Sequence, residues 1–420
     1  MTKERGEYSV GMRYNIWPLR PEPLSGLSMN ASDLRIALFS ANYNYVRDGA
    51  NQALNRLVAY LLGKGAAVRI YSPTVDKPAL PPMGDIVSVP AFPIPGRSEY
   101  RLPIMLPPAA KRDIKAFKPN IFHIASPDAM GHGAVTLARK LRTPVVASVH
   151  TRFETYPRYY GLAFMEPLVE AVLRRFYRRC DAIFSPSESA AQALREQRMN
   201  YNVGIWARGV DREIFNPARR DLGWRRRLGI SDDMPVIGFV GRLVMEKGLD
   251  VFSATIERLE KYGVRHQVVV VGDGPARDWF EKALPNAIFT GFQQGDDLGR
   301  IVASMDIFFN PSVTEAFGNV TLEAMAAGLP TVAAFATGSQ SLLTDGITGR
   351  LVHAGAINAF ADALTVYCEN EDERHKAGRA GREASSHYGW DDINQALVDA
   401  YIRVINQHKE TGRPQSSLNP

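Results

Sequence analysis

Two successive series of short apolar runs, each followed by a helix-length segment, limit what this 420-residue chain can fold into. The first series is RIALFS (35–40), VRIYSP (68–73), IFHIAS (121–126), PVVASVH (144–150) and AIFSPS (182–187). The pattern restarts after about residue 208 with PVIGFVG (235–241), HQVVVVG (266–272), AIFTG (287–291), DIFFNPS (306–312) and TVAAF (331–335). Runs of this length without strict alternation suit strands of a parallel sheet covered on both faces. After the first run, Leu54, Leu57, Val58, Leu61 and Leu62 recur at helical spacing, and Gly63 and Gly65 mark the helix end. The expected class is α/β, with two doubly wound, Rossmann-like domains facing a deep cleft. The boundaries expected are an N-terminal extension 1–33, a first domain 34–207, a second domain 208–387, a C-terminal helix 388–408 and a disordered tail 409–420. The linker falls near Ala207–Pro217.

Hydrophobic content of 45% and charged content of 22% are ordinary for a water-soluble fold. Cys180 and Cys368 stand in no CxxC or Cys/His cluster, which points to a reduced compartment and away from zinc. No apolar run approaches the roughly 18–20 residues of a membrane span. The first 33 residues carry balanced charge and lack an apolar core, so no secretory signal is expected and a cytoplasmic location is. Charge is uneven. Residues 34–207 hold 23 Lys and Arg against 12 Asp and Glu, whereas residues 208–420 hold 23 against 28. The first half therefore carries +11 and the second −5. Such asymmetry suggests that the first half faces something anionic: a membrane surface, nucleic acid or an acidic substrate.

In open α/β sheets, ligands bind outside the carboxyl ends of the strands, and each motif here follows a strand-like run. The string EAFGNVTLE (315–323) sets Glu315 and Glu323 eight positions apart at a loop that opens a helix. Unpaired N–H groups and the helix dipole make that end a seat for phosphate, and Gly318 permits close backbone approach. Carboxylates on either side can accept hydrogen bonds from sugar hydroxyls flanking a diphosphate. The string GRLVMEKG (241–248) follows the first strand of the second series and carries Arg242 and Lys247, which can converge on phosphate oxygens. Two fixed cations can stabilise a departing diphosphate without metal. The chain has no DxD tripeptide, and the Asp pairs 232–233, 296–297 and 391–392 read as surface or capping residues. In the first half, Gly49 can bring backbone close to a diphosphate or sugar. His150 ends a strand where it can meet a sugar hydroxyl or polarise a reacting group. His123 and His132 read as structural.

Together GRLVMEKG, VVVVGDGP (268–275), FTGF (289–292), PSVTEAFGNVTLEAMAAGLPTVAA (311–334) and DGITGRLV (345–352) resemble the retaining, GT-B-fold glycosyltransferases, over most of residues 35–405. The resemblance implies that Glu315 contacts donor-sugar hydroxyls and Glu323 the ribose. It implies that the backbone of Phe317, Gly318, Asn319 and Val320 holds sugar and diphosphate, that Phe292 and Gly49 border the donor, and that Arg242 and Lys247 bind the diphosphate. His150 would lie beside the transferred sugar, and the C-terminal helix would cross back to the first domain. HIASPDAMGHGAV (123–135), ASVHTRFETYPRYY (147–160) and GIWARGVDREIFNP (204–217) are similar to the sulfolipid-synthase and lipid-glycosylating branch. The family often has Gly-Gly in its first loop, where this chain has only Gly49, and a glycine pair where this chain has Thr337-Gly338.

The implied activity is metal-free and cofactor-free retaining transfer from a nucleoside-diphosphate sugar, a UDP-sugar, to a membrane lipid such as diacylglycerol or ceramide. The partners expected are the nucleotide sugar and an anionic membrane surface, not nucleic acid. The enzyme would sit peripherally on the inner face of the cell membrane. Arg97, Arg101, Lys111, Arg112 and Lys115, interrupted by the apolar run Leu102–Ala110, are the candidate membrane-facing set. A second basic set is Arg174, Arg175, Arg178 and Arg179. The alternatives are a soluble or lipid-linked saccharide acceptor in surface polysaccharide synthesis, a GT-B epimerase or phosphorylase, and a non-catalytic nucleotide-sugar-binding protein.

Overall fold

The computed structural model describes residues 29–46, 48–94, 97–150 and 163–411. The side chains at 94, 97–99 and 163 are outside this description. So are most of the N-terminal extension, the second part of ASVHTRFETYPRYY and the tail from residue 412.

The strands are β1 (Arg35–Phe39), β2 (Ala67–Ser72), β3 (Asp85–Ser88), β4 (Ala91–Ile94), β5 (Arg97–Pro103), β6 (Ile121–Ile124), β7 (Val145–Ser148), β8 (Ala182–Ser185) and β9 (Val203–Ile205) in the first half. All but β4 and β5 form one sheet in the order β3-β2-β1-β6-β7-β8-β9, every pair parallel. The strands β6, β7 and β8 are buried along their whole length, as expected for strands covered on both faces. The strands β4 and β5 make a separate antiparallel hairpin. The leucine-patterned segment is the helix Gly49–Gly63, capped by the Asp48 carboxylate on the Asn51 N–H at 2.8 Å. Leu54, Leu57, Val58 and Leu61 are buried, and Leu62 faces out.

The second half adds β10 (Val236–Val240), β11 (Gln267–Val271), β12 (Ile288–Phe289), β13 (Ile307–Asn310), β14 (Thr331–Ala334) and β15 (Gly349–Val352), in the order β12-β11-β10-β13-β14-β15, again all parallel. The chain is therefore two Rossmann-like parallel sheets with helices. Beside β13, Asp306 receives Arg220 on Oδ1 and Arg225 on Oδ2, both at 2.7 Å, and the Val236 N–H at 2.9 Å. Arg225 is fully buried and also donates to the carbonyls of Ser231, Ser304 and Met234. This network ties the start of β10 to the start of β13.

The helix Trp390–Thr411 spans both halves. Next to its start, the Tyr388 carbonyl accepts from the Val210 N–H in the second half's core. Further along, Leu397, Tyr401 and Ile405 are buried in the core of the first sheet. His408 then reaches Asp181 at 3.3 Å. The helix runs through Thr411, into the stretch expected as tail; residues 409–411 extend it as an exposed last turn.

Candidate active site

The strings GRLVMEKG and EAFGNVTLE meet at the carboxyl ends of β10 and β13. Lys247 Nζ lies 2.6 Å from Glu315 Oε1, so the cation of one motif and the first carboxylate of the other form one half-buried ion pair. Arg242 leads the same loop with its side chain exposed. Gly318 precedes the helix Asn319–Ala326 with φ +94°, a left-handed turn that a side chain would strain. Beyond it the backbone turns into the helix, and the first-turn N–H groups face the loop. The carbonyl of Glu315 accepts from the Gly338 N–H at 3.0 Å. A Cβ on Gly338 would come within 2.9 Å of the backbone of Glu315 and Phe317, so the single glycine of Thr337-Gly338 suffices to seat the loop.

Glu323, one turn into that helix, keeps part of its surface open while protein atoms enclose its carboxyl. Burial pushes its pKa up to about 8; the nearby charge of Arg56 opposes this and Glu315 adds to it. Arg56 comes from the other half, on the helix Gly49–Gly63, stacked over Trp390 at 5.0 Å. Gly49 opens that helix against Asn319: a Cβ there would lie 2.2 Å from Asn319 Nδ2. The halves also touch where Ser187 Oγ donates to the Ala316 carbonyl at 3.0 Å and Ser189 Oγ to the Thr337 carbonyl at 2.5 Å. The donor loop is thus held from across the seam. Phe292 follows β12 with its ring 60% exposed, open to stacking.

His150 follows β7. Its Nδ1 lies 2.7 Å from Arg208 Nη2 and its Nε2 2.8 Å from Ser148 Oγ. Burial first, then the charge of Arg208, lowers its pKa well below the usual value. Arg208 is buried, lies over the Trp206 ring and donates to the carbonyls of Trp206 and Ala207. Burial brings its pKa down to about 10, with Asp48 pulling the other way. The linker therefore carries a buried cation into the site. Sequence reasoning missed Arg208, Asp48 and Arg56. The buried arginine inside an apolar GIWARGV string was the one available signal. It also missed Asp128, which caps the helix Ala129–Leu141 through the Gly131 N–H at 2.8 Å. Asp128 Oδ2 is buried without a partner among the described residues, and burial pushes the carboxyl up to about 7. Among the described residues no group of three or more His, Cys, Asp or Glu converges as metal ligands would.

Of the candidate membrane-facing set, Lys111, Arg112 and Lys115 are exposed on the helix Pro108–Phe117, whose Ala110, Ile114 and Phe117 are buried. Arg97 lies in β5. Arg101 is half-buried, with its N–H on Tyr45 Oη at 3.1 Å. The second basic set is largely committed to packing. Arg174 pairs with Glu170 and the Gln197 carbonyl, Arg178 with the Arg198 carbonyl, and Arg179 with Thr136. Among the described residues, no helix is long and apolar enough to cross a membrane.

With this geometry in hand, likeness to known proteins is informative. Residues 234–370 match the family described as Glycosyl transferases group 1, and residues 47–214 match Glycosyltransferase Family 4. The chain is 31% identical over 382 residues to the sulfoquinovosyl transferase of Arabidopsis thaliana, covering 89% of this chain and 73% of that protein. It is also 31% identical over 382 residues to a GDP-mannose-dependent alpha-mannosyltransferase of Mycolicibacterium smegmatis, covering 89% of this chain and 98% of that one. The chain belongs to the group 1 glycosyltransferases. The glycosyltransferase also shares its fold with the sucrose-phosphate synthase of Thermosynechococcus elongatus. There the TM-score is 0.73 at 19% identity, covering 89% of this chain and 99% of that one. The two Rossmann-like domains expected from the strand series, and the GT-B architecture that the resemblance implied, are therefore the observed ones.

Proposed function

We propose that this glycosyltransferase moves a sugar from a UDP-sugar to a membrane lipid such as diacylglycerol or ceramide, with retention at the anomeric carbon and without a metal ion or other cofactor. The Lys247–Glu315 pair at the head of the Asn319–Ala326 helix carries the reading. It puts a cation for the diphosphate and a carboxylate for sugar hydroxyls side by side, next to first-turn N–H groups that favour anions. Lys247 and Arg242 stabilise the leaving diphosphate, Glu315 and His150 face the sugar, Glu323 takes the ribose and Phe292 stacks on the base. The backbone of Phe317, Asn319 and Val320 holds sugar and diphosphate, and the leaving phosphate takes the acceptor proton on the same face.

Two observations support a lipid acceptor. One is the naming of relatives: besides the sulfoquinovosyl transferase, an alpha-monoglucosyldiacylglycerol synthase of Streptococcus pneumoniae is 24% identical over 343 residues. The other is the surface. Phe92, Leu102, Ile104 and Met105 are exposed on and after the β4–β5 hairpin, beside Lys111, Arg112 and Lys115. Phe164, Leu168 and Val172 form a second exposed apolar stripe, on and just before the helix Glu166–Tyr177. Both patches flank the helix Ala129–Leu141: Leu106 approaches Gly133 closely, and the Phe176 ring packs at a tilt against His132 with centroids 4.7 Å apart. Each basic residue near an anionic leaflet adds about 1 kcal/mol, and shallow apolar insertion adds to it, which gives reversible attachment to the inner face of the membrane. Radiolabelled sugar transferred into an organic-phase extract supports this reading; label in a water-soluble product favours the saccharide acceptor. Cosedimentation with anionic but not zwitterionic vesicles, lost at high salt, tests the surface. Retention in the supernatant with every vesicle refutes it.

One observation favours a second reading of the donor: three relatives are named GDP-mannose-dependent mannosyltransferases. Thermal-shift screening against UDP-, GDP- and ADP-sugars decides between them. A ligand at about 100 times its Kd adds about 2.7 kcal/mol of stability.

A further inference from the structure

The imidazole of His150 is gripped on both nitrogens. Arg208 Nη2 lies 2.7 Å from Nδ1. A guanidinium can only donate, so Nδ1 carries the lone pair and the ring proton sits on Nε2, directed at Ser148 Oγ 2.8 Å away. One neutral tautomer is left. Protonating the ring would set a second N–H against that of Arg208. Burial, the charge of Arg208 and His123 all act against the imidazolium, while Asp48 acts on Arg208.

The chain of hydrogen bonds continues inward. Ser148 Oγ is 2.8 Å from His123 Nε2, and His123 Nδ1 is 2.6 Å from Tyr401 Oη. His123 and Tyr401 are fully buried. Trp206 stands edge-on to both histidines, at 5.9 and 5.6 Å. Tyr401 belongs to the helix Trp390–Thr411, and just ahead of that helix Tyr388 packs against Phe317 of the donor loop at 5.9 Å. One segment thus touches the donor loop at one end and the His150 chain further along.

We propose that Arg208, Ser148, His123 and Tyr401 are positioning residues for His150, one hydrogen-bonded chain that fixes its ring and its Nε2–H tautomer, so that the C-terminal helix sets one wall of the donor-sugar site. This rests on His150 facing the donor sugar. In this role His150 is a rigid neutral wall that keeps its Nε2 proton and passes none to or from the reacting groups.

The test is nitrogen-15 NMR of the histidine rings in the full chain from pH 5 to 8.5, which needs no substrate, alongside transfer kinetics. In the intact protein His150 is expected to show the Nε2–H tautomer with no titration. Arg208→Met removes the donor to Nδ1 at similar volume while the ring stays buried; the His150 nitrogens should then lose the fixed Nε2–H pattern and show mixed tautomers, and kcat should fall. Tyr401→Phe keeps the ring packing and removes only the hydroxyl. It should shift the His123 nitrogens and lower kcat about tenfold with donor KM nearly unchanged, because small misplacements next to reacting atoms are costly in rate. A His150 that titrates in the intact protein, or that holds its proton on Nδ1, overturns the proposal. So does Tyr401→Phe with unchanged kcat and unchanged ring resonances. If no nucleotide sugar is turned over at all, the assigned reaction fails while the ring resonances still decide the tautomer lock.

Discussion

Lys247 and Glu315 are read as serving different parts of the donor, yet they touch, and this contact makes a sharp prediction. Their side chains are 28% and 16% exposed, so the pair lies between a surface ion pair, worth about 0–1 kcal/mol, and a buried one, whose breakage costs about 3–5 kcal/mol. Lys247→Ala removes a charged hydrogen-bond donor from the leaving diphosphate. That is worth about 1.5–3 kcal/mol, or about ten- to more than a hundredfold in kcat/KM. Glu315→Gln acts differently. The carboxylate and the diphosphate compete for the same ammonium, so neutralising Glu315 frees Lys247 for the phosphate. Free nucleoside diphosphate should bind Glu315→Gln no more weakly than the wild type, while turnover falls because the sugar loses a charged acceptor. The double variant should then cost less than the two single changes together, with a coupling of about 0.5–3 kcal/mol. Initial-rate kinetics on the four proteins, with isothermal titration of the free nucleoside diphosphate, measure all of this. Near-normal turnover in Lys247→Ala refutes the clamp. Strict additivity refutes the coupling. Nucleotide binding weakened more by Glu315→Gln than by Glu323→Gln refutes the division of roles.

Activity is expected to survive EDTA, since two cations and a helix end supply the positive charge; loss restored by Mg²⁺ or Mn²⁺ would contradict this. Burial pushes the Glu323 carboxyl up to about 8, so on the proposed reading a rise in pH through 8 would add a negative charge beside the phosphate seat of the bound nucleotide. Nucleotide affinity measured by calorimetry should therefore fall as pH rises through 8 in the wild type and stay flat in Glu323→Gln. Asp306→Ala leaves Arg225 buried without its carboxylate and should cost about 3–5 kcal/mol in urea unfolding; a change below 1 kcal/mol would show that the network contributes little. His408 has its pKa raised first by its hydrogen bond to Asp181, so its contribution is full below its ordinary value and is lost as pH rises through the raised one. The gap in melting temperature between wild type and His408→Gln should shrink from pH 6 to pH 9.

The two sheets were legible because each central strand is a short, largely apolar run, which local pattern reveals directly. The edge strand β12 was legible as well, but the edge strands of the first sheet were not. β3 is exposed at both ends and β9 has three residues, so neither bears an apolar signature. The turn at Gly318 was legible for a related reason: a loop that opens a helix is a local backbone device, written in consecutive residues. What failed to show was every contact that closes over distance. Lys247 meets Glu315 across 68 positions, Arg208 meets His150 across 58, and Tyr401 meets His123 across 278. No periodicity records such pairs; they exist only once both sheets and the C-terminal helix are in place. His123 shows the consequence. Read alone, a histidine inside an apolar strand is a core residue, and by burial it is one. Its two ring nitrogens nonetheless join the C-terminal helix to Ser148, the end of β7 two residues before His150. A residue can therefore be structural by position and still set the geometry of the site, because in a buried chain of hydrogen bonds each member orients the next.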